Sequence, residues 1–278
     1  MKLAVAFRLG RVSNLPTVTT NVLAAVALSA ADVSAWTIGA VCVAMSMMYT
    51  AGMFLNDAFD RDIDRIERPE RPIPSGQVSA ARVFDVGFVM LGGGILVVTL
   101  VGPGWAPTMA SVMLASAIIF YDAYHKQNRF APLVMGMCRA GVYATAALVA
   151  TGRIGGDVGL GIIALVSFLI GLTYIARFEN LRQLGNVWPL GFLSVPFAIA
   201  LPNSALSVAI YVGLFAWIVR ALWLVANRRI REAVGSLIAG ISLVDALWIA
   251  RTGSTTMTIV ALACFVLTNL LQRVVPGT

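Results

Sequence analysis

The sequence predicts an all-α protein, a polytopic bundle of nine or ten transmembrane helices. Three observations carry this. Of the 278 residues, 59% are hydrophobic and only 12% charged, with a mean hydropathy of +0.86, a balance that excludes an ordinary soluble domain. Apolar segments of spanning length recur along the whole chain. The basic residues gather between alternate segments.

The segments lie near residues 14–31, 36–56, 83–102, 105–121, 131–151, 158–176, 187–202, 204–226, 233–250 and 255–271. A span needs roughly 20 residues, and below about 17 a crossing is doubtful. The seventh segment is short and carries Pro189 and Pro196, which leaves nine and ten crossings both open. In the ten-helix arrangement one set of loops and termini holds all but four of the 20 lysines and arginines. Arg153 and Arg251 fall on the opposite set, and Arg139 and Arg220 lie inside spans. The positive-inside rule then places both termini, and the segment after the second span, on the cytoplasmic side of a bacterial-type cell membrane.

The same bias explains the pI of about 9.8 without nucleic acid as a partner. No cleavable signal peptide is expected, because Lys2, Arg8 and Arg11 lead into an apolar run that reads as a full span. Cys42, Cys138 and Cys264 all lie in apolar stretches and read as packing residues, not a disulfide framework. Residues 1–278 read as a single transmembrane domain, with 57–82 as a cytoplasmic cap loop rich in aspartate and arginine.

The cap is where chemistry is expected. Between Asn56 and Gly76 stand six acids and four arginines, directly after the second span. Charge at a membrane boundary is expensive and marks a functional site by default. Asn56, Asp60 and Asp64 are spaced by four, so on a helix they form one oxygen-lined stripe. Two carboxylates and an amide suit Mg2+, which keeps several waters and is completed by substrate phosphates. Arg68 and Arg71 follow within two turns, and arginine grips phosphate bidentately. A cation site and arginines beside an apolar interior call for a ligand with a phosphate head and a greasy tail, such as a prenyl diphosphate. The plainer alternative is a solvated loop of mixed charge.

The pattern Asn56-Asp57-x-x-Asp60-x-x-x-Asp64, followed by Arg68-Pro69-x-Arg71-Pro72-x-Pro74-x-Gly76, resembles the first aspartate motif and basic loop of the UbiA-superfamily intramembrane prenyltransferases. Asn14-Leu15-Pro16 resembles that family's opening. The segments Tyr121–Lys126 and Met135–Arg139 resemble an EboC-like subgroup. The resemblance implies an all-α bundle around a central cavity, capped on the cytoplasmic side, whose two aspartate motifs face each other and hold Mg2+ on a prenyl diphosphate. The diphosphate leaves, and a small lipophilic, often aromatic, acceptor captures the allylic cation. On this reading Asn56, Asp60, Asp64 and Glu179 are metal ligands. Asp60, Asp64, Lys126 and Tyr121 are catalytic. Asn21, Asn56, Arg68, Arg71, Arg139 and Arg177 bind the prenyl diphosphate.

One departure stands out. After the sixth span the family carries a second Asp-x-x-x-Asp motif, whereas this chain reads Arg177-Phe178-Glu179-Asn180-Leu181-Arg182. The second metal is then held more weakly, with Arg177 supplying part of the charge, or the site no longer ionises a diphosphate efficiently. Two other functions stay open: an intramembrane terpene cyclase, and a non-catalytic carrier of prenyl diphosphates or lipids.

Other residues carry further expectations. Asp122 pairs with Lys126 on one helix turn or supplies part of the missing acidic set. Asn21 faces the cavity or bonds between helices. Arg139 faces the cavity. Arg220 and Asp245 pair with each other. His125, the single histidine, sits at the surface. Tyr143, Tyr174 and Phe178 pack, or shield a cation by cation–π contact.

Overall fold

The computed structural model describes residues 1–125, 128, 130–177, 187–275 and 277. Among them the chain is helical, without strands. In order, the helices are α1 (Leu3–Leu9), α2 (Leu15–Leu28), α3 (Ala35–Phe59), α4 (Arg61–Glu67), α5 (Ala80–Val101), α6 (Ala106–Tyr124), α7 (Ala131–Thr151), α8 (Gly156–Arg177), α9 (Val195–Ile199), α10 (Ala205–Ala226), α11 (Ile230–Arg251) and α12 (Thr255–Leu271).

Seven described helices are long and apolar enough to cross a membrane: α3, α5, α6, α7, α8, α10 and α11. The first, seventh and tenth expected spans appear as shorter apolar helical stretches, Val12–Leu28, Trp188–Ile199 and Thr255–Leu271. The seventh breaks where its prolines stand. A 3-10 helix over Trp188–Ser194 has Pro189 in its first turn, and α9 has Pro196 in its own. Proline has no N–H to donate and tends to open a helix, not continue one. Twelve residues at about 1.5–2.0 Å each cover roughly 20 Å, less than the roughly 30 Å hydrocarbon core.

The helix starts follow from local chemistry. Ser34 and Ser79 accept from the backbone N–H of Thr37 and Arg82, capping α3 and α5. Ser204 and Ser207 form a reciprocal capping box on α10. Each cap satisfies an N–H that the helix itself leaves unpaired.

α11 is the inner staff of the bundle. Of its spanning window 89% is buried, as expected of a helix surrounded by others. It packs against α2, α8, α10 and α12. The outer helices turn Leu96, Leu100, Val212 and Phe215 outwards, where a bilayer covers them.

α3 carries the expected site, and its position depends on α5. Gly87 and Gly94 face α3 across the tightest part of this contact. A Cβ at Gly94 would lie 2.5 Å from Met48 Cγ and 2.9 Å from the Ala44 carbonyl oxygen. Small residues allow such backbone approach in membrane bundles. Replacing Gly94 with valine should therefore push α3 and α5 apart and cost about 1–3 kcal/mol. In detergent, thermal unfolding of Gly94→Val should fall by several degrees, whereas Gly92→Val, at a position open on all sides, should unfold close to wild type.

Candidate active site

The acidic stripe expected from the sequence spans the junction of α3 and α4, where Asp60 stands between the two helices. Asp60 N–H donates to the Asn56 carbonyl, Asp64 N–H to that of Asp60, and Arg68 N–H to that of Asp64, each at 2.9 Å. The path of α3 thus continues into α4 past Asp60, and Asn56, Asp60 and Asp64 stay on one face. All three are buried, as is Asp57. The 57–82 segment is accordingly the end of α3, then α4, then a run of turns, then the start of α5.

Arginine from those turns folds back over the stripe. Arg71 Nη1 lies 2.6 Å from Asp64 Oδ2 and 3.3 Å from Asp57 Oδ1, and Arg11 Nη2 reaches Asp57 Oδ1 at 3.6 Å. Burial pulls the Arg71 pKa down, but Asp57 and the hydrogen-bonded Asp64 outweigh it and raise it above its ordinary value. The guanidinium therefore stays charged. Arg11 sits in left-handed backbone, φ 43°, a costly conformation for a residue with a Cβ.

α6 brings the next set. Asp122 Oδ1 accepts from Asn56 Nδ2 at 3.3 Å. Its other oxygen, Oδ2, is buried with no hydrogen-bond partner. His125 Nε2 lies 3.6 Å from Asp60 Oδ2, and its ring stacks on Tyr121 with centroids 4.9 Å apart. The expectation of a surface histidine is thus corrected. One turn of α6 beyond Tyr121 brings the ring under the cap, and its side chain is only 17% exposed.

Of these groups Arg11, Tyr121 and Asp122 line a cavity of about 310 Å³, whereas Asn56, Asp60 and Asp64 are absent from its lining. Arg11, Asn14, Arg68, Tyr121, Asp122 and Arg139 line its polar part, and Met45, Met48, Leu114, Ile118, Leu169 and Ile241 much of its apolar body. Asn56 and Asp122 touch, Asp60 meets His125, and Asp64 and Arg71 form an ion pair next to them. Arg71 faces the carboxylates and a neighbouring polar basin, not the apolar cavity.

Deeper in, a second polar set is fully enclosed. Asp245 on α11 accepts from Thr20 and Asn21 on α2 and from Tyr143 on α7. Arg139 Nη1 donates to Asn21 Oδ1 at 2.8 Å and Nη2 to Thr17 Oγ1 at 3.2 Å, with the guanidinium 5.0 Å from the Tyr49 ring centroid. The expected Arg220–Asp245 pair does not form. Arg220 points from α10 to Ser236 Oγ at 2.8 Å and lies over Trp217, while Asp245 faces the bundle axis. Asn21 bonds between helices and is absent from the cavity lining, which Arg139 joins. Tyr143 is likewise committed to Asp245. Tyr174 does not line the cavity.

Lys126, Phe178, Glu179, Asn180 and Arg182 lie outside the described residues, as does the side chain of Arg177. Arg11 and Asp57 were not singled out in the sequence as site residues. Neither the turn of chain that aims Arg11 nor the fold-back of Arg71 onto Asp57 leaves a local pattern.

Most of the chain, the cap included, matches a known family model. Residues 18–270 fit the UbiA prenyltransferase family. The chain belongs to this family. Among solved structures, the apo UbiA homologue of Aeropyrum pernix K1 superposes with a TM-score of 0.70 at 17% identity, covering 85% of this chain and 97% of that one. A UbiA homologue from Archaeoglobus fulgidus bound to GPP and Mg2+ gives 0.56 at 12% identity, covering 97% and 99%. These likenesses establish the UbiA fold. Curated relatives include the digeranylgeranylglyceryl phosphate synthases of Metallosphaera sedula and Pyrococcus horikoshii. The first is 32% identical over 28% of this chain and 26% of its own, the second 26% identical over 58% and 56%. This chain thus matches between about a quarter and somewhat over half of their length.

The Asp245 cluster yields a test of which buried acid is structural. Thr20 and Asn21 both donate to Asp245 Oδ2, so an amide there brings NH2 against a donor or turns its oxygen away from Tyr143. Asp245→Asn should lower stability by about 1–3 kcal/mol, read as a lower unfolding temperature in detergent. An unchanged unfolding temperature would remove Asp245 from the framework that holds Arg139.

Proposed function

We propose that this chain transfers an isoprenyl group from a prenyl diphosphate to a lipophilic acceptor within the membrane, in a Mg2+-dependent reaction. The observation that carries the reading is the cavity itself: a polar mouth with Arg11, Arg68 and Asp122 opens on an apolar body lined by methionine, leucine and isoleucine. A diphosphate head and an isoprenoid tail match those two parts. The arginine bias of the loops supports a cytoplasmic mouth and cytoplasmic termini. The relatives' name, and the GPP and Mg2+ held by the Archaeoglobus homologue, support the same donor class.

The donor set fits a hydrated Mg2+. Asn56 touches Asp122, Asp60 and Asp64 follow Asn56 along the chain at intervals of four, and Asp122 keeps a buried oxygen without a partner. Among the described residues no three of His, Cys, Asp and Glu converge on one point. That suits a cation which takes its remaining ligands from water and substrate phosphate. When bound, Mg2+ would neutralise charge on the departing diphosphate. In the order of the family's missing second motif, Asp122 supplies carboxylate from α6, and Glu179 a further oxygen.

The chain's own residues do the rest. Arg68, Lys126 and Arg177 neutralise the phosphate charge that grows as the C1–O bond breaks and its electron pair leaves on the diphosphate. Arg139, held by Asn21 and Thr17, presents a fixed cation at the cavity wall. Tyr121 offers a ring face beside the mouth, fixed by its stack on His125. The apolar body excludes water that would quench the allylic cation. The acceptor then gives an electron pair to C1, forms the new bond and loses its proton to water or a diphosphate oxygen.

Two measurements check this. Purified protein with geranylgeranyl diphosphate should release diphosphate only with Mg2+, and Asp60→Asn should reduce the rate at least about hundredfold while unfolding near the wild-type temperature. Wild-type activity in Asp60→Asn would falsify the assignment. Binding without release would favour a carrier, and a cyclised product formed without acceptor would favour a cyclase. Asp122→Ala should raise the Mg2+ concentration for half-maximal thermal stabilisation by about tenfold or more, and an unchanged Mg2+ titration would remove Asp122 from the cation site.

A further inference from the structure

The apolar cavity has nearly the same depth on five of the helices that wall it. On α3 its lining runs from Met53 at the cap end to Met45, and on α6 from Asp122 to Leu114. On α7 it runs from Met135 to Val142, on α8 from Ala176 to Leu169, and on α11 from Val234 to Ile241. The two ends of each run are seven or eight positions apart, about 10–12 Å along a helix. Among the described residues these helices therefore stop lining the cavity at one level, which makes a floor. A volume of about 310 Å³ agrees with a shallow site, since ligand cavities usually hold roughly 300–1,000 Å³.

The layer under that level is solid. Tyr143, Leu165, Phe168 and Val244 lie one position or one turn from the floor residues, have no exposed surface and do not line the cavity. One turn beyond Ile241, Asp245 ties α2, α7 and α11 together through Thr20, Asn21 and Tyr143. The floor cannot sink without breaking those buried hydrogen bonds. Leu114 closes the seam between α6 and α7. A Cβ at Gly141 would stand 2.9 Å from its Cδ1, so the leucine rests directly on the α7 backbone. The neighbouring polar basin offers no way out below, because it shares only Arg11, Arg68 and Gly277 with the cavity, all at the mouth.

We infer that the layer of Met45, Leu114, Val142, Leu169 and Ile241 sets the length of the donor's tail, at two isoprene units. The inference rests on the prenyl-transfer reading and deepens it by naming the size of the donor. An isoprene unit adds four carbon–carbon bonds, about 5 Å when extended, so two units reach from the mouth to the floor. A geranylgeranyl tail is twice as long. Its last two units must fold back on the first two or press between packed helices, and a close-packed interior resists both. Geranylgeranyl diphosphate is then still cleaved, but more slowly than geranyl diphosphate.

The test is a competition. Full-length protein in nanodiscs with Mg2+ meets equal amounts of geranyl and geranylgeranyl diphosphate, and the loss of each is followed by mass spectrometry. The ratio of the two rates is the ratio of their kcat/KM values and does not depend on how much of the protein is active. Geranyl diphosphate should be consumed faster by about tenfold or more, the scale on which an apolar pocket discriminates, with farnesyl diphosphate between the two. Leu114→Ala and Met45→Ala each deepen the cavity and should shift the ratio toward geranylgeranyl diphosphate by about tenfold. Ile118→Phe fills the cavity one turn above Leu114 and should instead favour dimethylallyl over geranyl diphosphate. Partition of the donors into lipid is common to all variants, so the shift between variants reports the floor alone. Equal consumption of the two donors by wild type would overturn the proposal, as would faster consumption of the longer one. So would an unshifted ratio in both alanine variants. If one of them fails to fold, the other and the wild-type ratio still decide. Failure of the underlying reading looks different: no donor of any length is then consumed. The floor is in that case read from the Kd of the same donors with Mg2+, by thermal stabilisation, where the same order of lengths should hold and equal Kd values would overturn it.

Discussion

Four buried carboxylates at the end of an apolar cavity set the terms for everything around them. Asp57, Asp60, Asp64 and Asp122 are each under a tenth exposed, and an ionised carboxylate taken out of water needs a partner or a cation. The cap is the chain's answer. α4 restarts the helix at Asp60 and carries Asp64 onward, its N–H bonded to the Asp60 carbonyl, and the proline-rich turns bring Arg71 back to bridge Asp64 and Asp57. Arg11 is drawn over in a strained backbone to share Asp57. His125 reaches Asp60. Only Asp122 is left half served, with one oxygen on Asn56 and the other alone.

That incomplete compensation separates a site from a framework. Asp245 is as deeply buried as any of the four, yet its oxygens take three hydrogen bonds from α2 and α7. It has no capacity left for a ligand, and its work is to lock helices and, through Asn21, to hold Arg139. Asp122 has the opposite balance. A membrane protein can tolerate such an unpaired oxygen only where a cation or water completes it, and the polar mouth of the cavity is such a place.

Much of this was legible in the sequence. The spans follow from hydropathy, because a bilayer demands about 20 apolar residues whatever the neighbours. The stripe Asn56, Asp60, Asp64 follows from helical spacing, which the bonds from Asp60 N–H to Asn56 and from Asp64 N–H to Asp60 keep across the junction of α3 and α4. What depends on chain reversal was not legible. The fold-back of Arg71, the aim of Arg11 and the capture of His125 bring together residues 14, 46 and 65 positions apart in sequence, and no local pattern encodes that. The Arg220–Asp245 pairing failed for a related reason: opposite charges in adjacent spans suggest a partner, but helix rotation decides which face each occupies. Arg220 is partly solvent-exposed and turned to Ser236 on α11, whereas Asp245 is fully buried against α2 and α7.

Charge ordering along the two cavities completes the logic. The wall residues pass from apolar side chains, through Asp122 and its neighbours at the mouth, to a basin dominated by arginine. On the prenyl-transfer reading proposed above, tail, diphosphate and cation would each meet an environment suited to them. Asp122 stands between the apolar wall and the arginines, where a cation held by it would be within reach of a phosphate. Arg11 and Arg68 stand where the two cavities meet, so the side chains that border the mouth also border the space beyond it.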